Sequence, residues 1–509
     1  MTKSISKRFI ILYTLLLTLI PSQGSLASIC ESLSDDIPVL AGGRVKPYYV
    51  LAKESVKFLT GKAKFNNEEP THTFCQILNS SRNKANLSLP LLVEHVETKK
   101  LLGLKDSDTF LGAQELIEKQ SLIRSEILGI KDSSSYKKDL NRLYSRIELY
   151  SSIGSGSSFR IYTGAPEDPW QEASEFNELT NEEFAKLISE SKIKYIKDFS
   201  DDYQLELTYV KSNYQGISLI LALIGIFLTV LLPKLRIPVI TAFLVLGVET
   251  IAFILRIMIS GRAPITNMYE TVMFSGYGAL IISLILLYFK RDKIFLLAGL
   301  SYNMLCLFMM IFANGMLSSS ISPLVPVLRD NFWLSTHVTT IILSYAALAL
   351  SWIAANIALF KMKFGSLTSK EYRLHQDLIY ACIKVGIILL AAGIILGGIW
   401  ADYSWGRFWG WDPKETWSLI VLLFYMALVH GKSSSWINPH RFIILSAAGF
   451  MTVMMAWFGV NYILASGLHS YGFSEGGALF LSVFFVAQTL YLVICAKAKF
   501  KDPSNKEPE

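Results

Sequence analysis

The sequence predicts an all-α protein: a polytopic membrane helix bundle of about nine spanning helices, preceded by an N-terminal, mostly helical extracytoplasmic domain. Three observations carry that prediction. The 509-residue chain is 52% hydrophobic and only 17% charged, too apolar for an ordinary soluble domain. Beyond the N-terminus, its long apolar runs all fall after residue 215, at lengths near the roughly 20 residues a spanning helix needs. Lys and Arg concentrate in every second loop between those runs, which is a topology signal. The net charge of +7 is spread over short loops rather than gathered in one patch, so it does not point to nucleic acid.

The first element is a secretory signal. Lys3, Lys7 and Arg8 precede an apolar run over 9–20 and the small-residue stretch Ser25-Leu26-Ala27, the pattern of a signal peptide or N-terminal anchor over 1–27. Either form puts the following residues outside. The stretch 28–215 is polar and Lys/Glu-rich, with helical periodicity over 114–130 and 182–199. Serine-rich stretches at 133–135 and 151–158 read as loops. Cys30 and Cys75 are available for a disulfide in an oxidising compartment, but sequence alone leaves their separation open. None of the five cysteines forms a CxxC or CxxCH motif, which excludes a thioredoxin-like reductant and a c-type cytochrome.

Apolar runs follow at 216–233, 238–259, 269–289, 294–314, 338–361, 379–399, 416–431, 442–464 and 476–496. Lys234 with Arg236, Lys290 with Arg291 and Lys293, Lys361 with Lys363 and Lys370, Lys432 with Arg441, and Lys497 with Lys499 and Lys501 mark the cytoplasmic side. The membrane domain thus covers 216–497, with a cytoplasmic tail at 498–509. The loops at 260–268, 315–337, 400–415 and 465–475 lie outside, as does 28–215.

This topology sorts the seven histidines. His337 and His469 alone fall in the outer loops or outer helix ends, while His375, His430 and His440 lie toward the cytoplasm and His72 and His95 in the N-terminal domain. A lone histidine at a helix end is ordinarily an interfacial residue. Two on one side bracket an unusual loop, WADYSWGRFWGWDPKETW at 400–417. It holds half of the ten tryptophans: Trp400, Trp405, Trp409, Trp411 and Trp417.

One or two tryptophans would fit an interfacial aromatic belt. Five, interleaved with Arg407, Asp412, Lys414 and Glu415 and punctuated by Gly406, Gly410 and Pro413, suit a large planar ligand, apolar on its faces and anionic at one edge. Haem has that chemistry. Imidazoles from both sides would ligate its iron, and Arg407 or Lys414 would meet its carboxylates. Asp412 and Glu415 are candidates for local charge control.

Four stretches resemble the cytochrome c biogenesis proteins of the CcsA/ResC type, the system II branch of the haem-handling group with a WWD domain. They are WGRFWGWDPKETW at 405–417, SGRAPITNMYET at 260–271, LRDNFWLSTHV at 328–338 and SGLHSYG at 466–472. GGRVKPYYVLAKESVKFLTGK at 42–62 resembles, more weakly, the extracytoplasmic segment of longer members.

The resemblance implies that His337 and His469 are axial ligands of non-covalently held haem b on the outer face. His430 corresponds to an inner haem site, about 22 Å below the loop along a helix from Thr416. It also implies assistance in attaching haem to apocytochrome c CxxCH motifs, as a component of a holocytochrome c synthase complex rather than a stand-alone enzyme. The implied partners are a CcsB/ResB-like membrane subunit supplying a further imidazole, apocytochrome c and a thiol-reducing protein. The implied location is the cell inner membrane, with the WWD loop on the periplasmic side. Two alternatives stay open at this point: a haem-handling component of the haem-chaperone (system I) pathway, and a haem-containing transporter or electron carrier.

Four further residues draw attention. Glu249, mid-helix in the second span, is either a functional carboxylate or an interhelical hydrogen-bonding group. Lys384 is placed to snorkel to the cytoplasmic face. Glu270, beside Tyr269, belongs by the resemblance near the haem cavity, and Asn461 reads as a helix-packing residue.

Overall fold

The computed structural model describes residues 30, 33–82, 89–131, 134–232, 234, 236–313, 316–324, 329–365, 367–464, 477–495 and 497. The expected signal at 1–27, the tail at 498–509 and His469 lie outside the described residues. The chain forms two compact units, Met1–Leu207 and Thr208–Glu509.

The first unit is helical with six short strands that the periodicity reading does not anticipate. Runs of three or four residues are too short to show alternation. β1 (Pro38–Ala41) and β2 (Arg44–Pro47) form a hairpin turned by Gly42 and Gly43, both at positive φ. Pro47 precedes α1 (Tyr48–Thr60), which ends at Gly61 in a left-handed cap. α2 (Pro70–Arg82), β3 (Pro90–Leu92), α3 (Val96–Leu102), β4 (Phe110–Gly112), α4 (Ala113–Glu118) and α5 (Gln120–Gly129) follow.

α6 (Ser135–Ser155) is capped by the Ser134 side chain and closed by left-handed Gly156. β5 (Arg160–Tyr162) and β6 (Trp170–Glu172) complete a four-stranded sheet in the order β2-β1-β5-β6, while β3 and β4 pair separately. A Thr180/Glu183 capping box starts α7 (Asn181–Asp198). Cys30 and Cys75 pair, with Cα atoms 5.5 Å apart. The pairing ties the segment ahead of β1 to α2. Arg146, fully buried on α6, donates to the carbonyls of Phe58 and Leu92 and to Glu94.

The second unit is the membrane bundle. Among the described residues, nine helices are long and apolar enough to cross a membrane. They are α8 (Tyr214–Leu231), whose span continues from an extension beginning at Gln204, α9 (Arg236–Ser260), α10 (Met268–Lys290), α11 (Lys293–Phe312), α12 (Asn331–Phe364), α13 (Ser369–Trp405), α14 (Pro413–Ser433), α15 (Pro439–Tyr462) and α16 (Gly477–Cys495). The protein is therefore a multi-pass, all-α membrane bundle.

α12, α11 and α15 hold the core, with small residues such as Ala346, Ala347, Ala354 and Ala355 allowing close approach. The face of α8 carrying Ile220, Phe227 and Leu231 is exposed, as a lipid-facing surface must be. α16 packs lightly but is clasped to α12 by polar groups: Trp352 Nε1 donates to Gln488 Oε1 at 3.1 Å, and Gln488 Nε2 donates to Asn356 Oδ1 at 3.1 Å.

α13 runs 37 residues, well past the expected 379–399. A Thr368/Glu371 capping box opens it, and no proline intervenes before Gly406.

Candidate functional site

His337 sits where the α-helix of α12 is interrupted by a π turn over Leu334–Val338. Such turns insert one residue and are frequent at functional sites. α15 carries a second π turn at Met455–Gly459, near the end from which the chain leads to His469. Asp330 caps the start of α12, accepting from the N–H groups of Phe332 and Trp333.

The His337 imidazole packs into α13. Its Nδ1–H donates to the Gly393 carbonyl at 2.8 Å. A carbonyl only accepts, so in the neutral ring the lone pair lies on Nε2, as an iron ligand requires. A Cβ on Gly397 would stand 2.5 Å from Cε1 of His337, and one on Gly398 would stand 2.5 Å from Phe408 Cζ. Gly393 and Gly397, one turn apart on one face, are thus the seat of the imidazole. Trp400, a further turn on, presents its ring edge-on to His337 with centroids 5.8 Å apart.

Gly397→Ala therefore displaces His337 while leaving every candidate ligand in the chain. Haem affinity of the purified protein, read by absorbance titration, is expected to fall on the order of 10-fold, the size of effect typical of groups that orient a metal ligand. Unchanged affinity would show that the glycine seat does not position the ring.

The tryptophan-rich segment is not one loop. Trp400 and Trp405 belong to α13 and Trp417 to α14, so the connection proper is 406–412. Gly406, at φ +68°, is the left-handed end of α13. Asp412 and Pro413 are the N-cap and first turn of α14.

Glu415 gathers the connection into a knot. Its Oε1 pairs with Arg407 Nη1 at 3.1 Å, and its Oε2 accepts from the N–H groups of Gly410 at 2.6 Å and Asp412 at 3.3 Å. Asp412 Oδ1 accepts in return from the N–H groups of Lys414 and Glu415, each at 2.9 Å. A Cβ on Gly410 would meet the Arg407 guanidinium, the far end of a flexible side chain, which would have to move aside. Trp411 adopts φ +57°, a left-handed conformation uncommon for a bulky residue. It packs edge-to-face on Trp409 at 5.7 Å and is itself exposed, as are Tyr403 and Phe408.

The charges fall unevenly. Arg407 is engaged by Glu415, whereas Lys414 Nζ donates to the neutral Asn461 Oδ1 at 3.4 Å. Asn461, expected only to pack helices, joins the site: its amide donates to the Trp457 carbonyl at 2.6 Å, and Trp457 Nε1 donates to Thr271 at 3.2 Å. The indole N–H groups of Trp400 and Trp409 are buried with no partner among the described residues. A ligand with anionic oxygens would satisfy both, and this fits a haem carboxylate edge.

His430 lies near the C-terminal end of α14, about 26 Å from Pro413. It is exposed, and its ring meets the edge of Trp436 at 6.1 Å. His375 is buried and donates from Nδ1 to the Ala354 carbonyl at 3.1 Å.

Glu249 is met by the Asn303 amide at 2.9 and 3.2 Å to its two oxygens, the hydrogen-bonded alternative of the two readings. Glu270 forms a fully buried ion pair with Arg256 at 2.7 Å, and the Arg256 guanidinium also donates to the Ser319 carbonyl. Sequence reasoning passed over Arg256 and the glycine seat. The signal for the seat was there, in glycines at 393 and 397, one turn apart on one helix face.

Fold and site together define a polytopic membrane protein with an imidazole seated on two glycines beside a knotted aromatic connection. Residues 265–469 match the model of the family described as Cytochrome C assembly protein. The chain is 33% identical over 300 residues to the cytochrome c biogenesis protein CcsA of Guillardia theta, an alignment covering 53% of this chain and 98% of that protein. Against CcsA of Chlamydomonas reinhardtii it is 33% identical over 243 residues, covering 45% and 68% respectively. It is 27% identical over 496 residues to the protein NrfI of Wolinella succinogenes, covering 84% of this chain and 53% of NrfI, so it spans about half the length of that relative. The chain belongs to the CcsA family of cytochrome c biogenesis proteins.

Proposed function

We propose that this protein holds haem b, non-covalently, on the extracytoplasmic side of the cell inner membrane and presents it for attachment to apocytochrome c. The observation that carries this is the His337 seat: an imidazole with Nδ1 pinned to Gly393, Nε2 left with the lone pair, and Trp400 against its side. His469 supplies the opposite axial ligand. Trp400, Trp405, Trp409, Trp411 and Trp417 provide aromatic surface around the bound macrocycle.

Lys414, rather than the Glu415-paired Arg407, is the cation for the haem carboxylates, joined by the unpartnered indole donors of Trp400 and Trp409. Asp412 shapes the connection through its capping bonds. Exposed His430 marks an inner station, completed by an imidazole from a CcsB/ResB-like membrane subunit.

The reaction served is addition of each CxxCH thiol across a haem vinyl group: sulfur bonds to one vinyl carbon, the thiol proton ends on the other, and no net electrons are exchanged. A separate thiol-reducing protein keeps those cysteines reduced. Two neutral imidazoles leave the iron no open position for oxygen, and the histidine of the CxxCH motif takes over one coordination position afterwards. The chain acts as part of a holocytochrome c synthase, by positioning and protection.

The test is maturation of a reporter cytochrome c in a host stripped of its own assembly pathway. Expression of the chain with a CcsB/ResB-like partner is expected to yield covalent haem on the reporter. Absence of holocytochrome, with both proteins present in the membrane, would reject the reading.

A further inference from the structure

At the cytoplasmic end of the bundle, two ammonium groups share one ring. Lys384 Nζ, on α13, lies 4.6 Å from the centroid of Tyr380, and Lys432 Nζ, on α14, lies 5.3 Å from the same centroid. Lys432 also lies 4.6 Å from the ring of Phe442 on α15. Three helices thus converge on one cationic point.

Among the described residues no carboxylate forms an ion pair with either lysine. Asp377, one turn before Tyr380 on α13, acts on Lys432 only from beyond ion-pair distance. Two like charges brought to one aromatic ring with no carboxylate at ion-pair distance call for an anion.

Depth says which anion. Lys384 lies about 32 Å along α13 from its outer end at Trp405, and Lys432 about 28 Å along α14 from Pro413. The hydrocarbon core is about 30 Å thick, so both ammonium groups stand at the level of the cytoplasmic lipid phosphates. Directly above Lys384, the same face of α13 exposes Ile388, Ile395 and Ile399, an apolar track at helical spacing.

We propose that Lys384 and Lys432, around Tyr380, form a binding site for the phosphate of an anionic phospholipid whose acyl chain lies along Ile388, Ile395 and Ile399. The bound lipid braces α13 against α14 and α15. α13 and α14 are the two helices whose outer ends are joined by the knotted connection at 406–412, so the lipid steadies the outer site from the opposite face of the membrane. The assignment stands independently of the haem reading.

The experiment uses the purified full chain in nanodiscs of phosphatidylcholine with and without phosphatidylglycerol, reading Tm and the lipids retained in native mass spectrometry. Phosphatidylglycerol is expected to raise the Tm of the wild type and to be retained selectively. With Lys384→Gln/Lys432→Gln that selectivity falls about 30-fold, each lysine carrying roughly a five-fold share. Lys384→Arg/Lys432→Arg keeps it.

If the double Gln variant does not fold in phosphatidylcholine, the two single variants decide, each expected to lose its share. Retention of phosphatidylglycerol and of the Tm rise in the Gln variants would overturn the site. So would equal stabilisation by inorganic phosphate, which marks a soluble-anion pocket, or loss of lipid selectivity on haem loading, which marks a haem carboxylate site.

Discussion

His337→Ala is expected to abolish cytochrome c maturation while the protein still accumulates in the membrane. The substitution removes the imidazole from a seat of two glycines and leaves the rest of α12 unchanged. Its hydrogen bond from Nδ1–H to the Gly393 carbonyl at 2.8 Å contributes about 1 kcal/mol. The bundle, with its core built around α12 and α15, tolerates that loss.

Function does not, because on the proposed assignment His337 supplies an axial ligand to the haem iron. Added imidazole, small enough to enter the space left by the side chain, is expected to restore maturation in part. Holocytochrome formation at the wild-type level in His337→Ala without imidazole would remove this residue from the site.

Glu415→Ala is expected to be the most damaging change within the aromatic connection. One carboxylate ties the Arg407 guanidinium, the Gly410 N–H and the Asp412 N–H together and completes the capping box of α14. Hydrogen bonds to a charged acceptor are worth roughly 1.5–3 kcal/mol each and are not additive. A loss on the order of 3 kcal/mol of local order is therefore the expected scale.

Trp411 is the sensitive point, held at φ +57° only while the knot is tied. Maturation is expected to fall sharply, with trypsin newly cleaving after Arg407 and the remainder of the bundle protected. Glu415→Gln, which keeps an acceptor for the Gly410 N–H, is expected to fall between alanine and wild type. Equal protease resistance of Glu415→Ala and wild type would show that the connection is held by something other than this carboxylate.

The spans were readable because bilayer-length apolar runs interrupted by basic loops constrain each helix separately. Their ends were not. α13 starts at Ser369 and ends at Trp405 because a capping box and Gly406 set its limits, and hydropathy does not register either device. The strands of the first unit escaped notice because a three-residue strand such as β6 has no period to detect. The Cys30–Cys75 bridge joins residues whose separation of 45 positions says nothing of their distance in space.

The candidate site divides in the same way. Trp400 to Trp417 stood out by composition, and His337 by topology. The features that give those residues a geometry are non-local or conformational. Gly393 reaches His337 across 56 positions, the π turn at Leu334–Val338 leaves no mark in residue type, and Arg256 pairs with Glu270 only because α9 and α10 fold back on each other. Arg407 and Lys414 looked equivalent as cations in the sequence. Their neighbours separate them: Glu415 for one, Asn461 for the other.

The most direct measurement is the absorption spectrum of the purified full chain reduced with dithionite, beside that of His337→Ala/His469→Ala prepared identically. The wild type is expected to carry haem with the sharp split bands of low-spin ferrous iron between two imidazoles, and the double variant to lose them together with most of its haem. A double variant that retains haem in stoichiometric amount with the low-spin spectrum unchanged would contradict the assignment of the outer site.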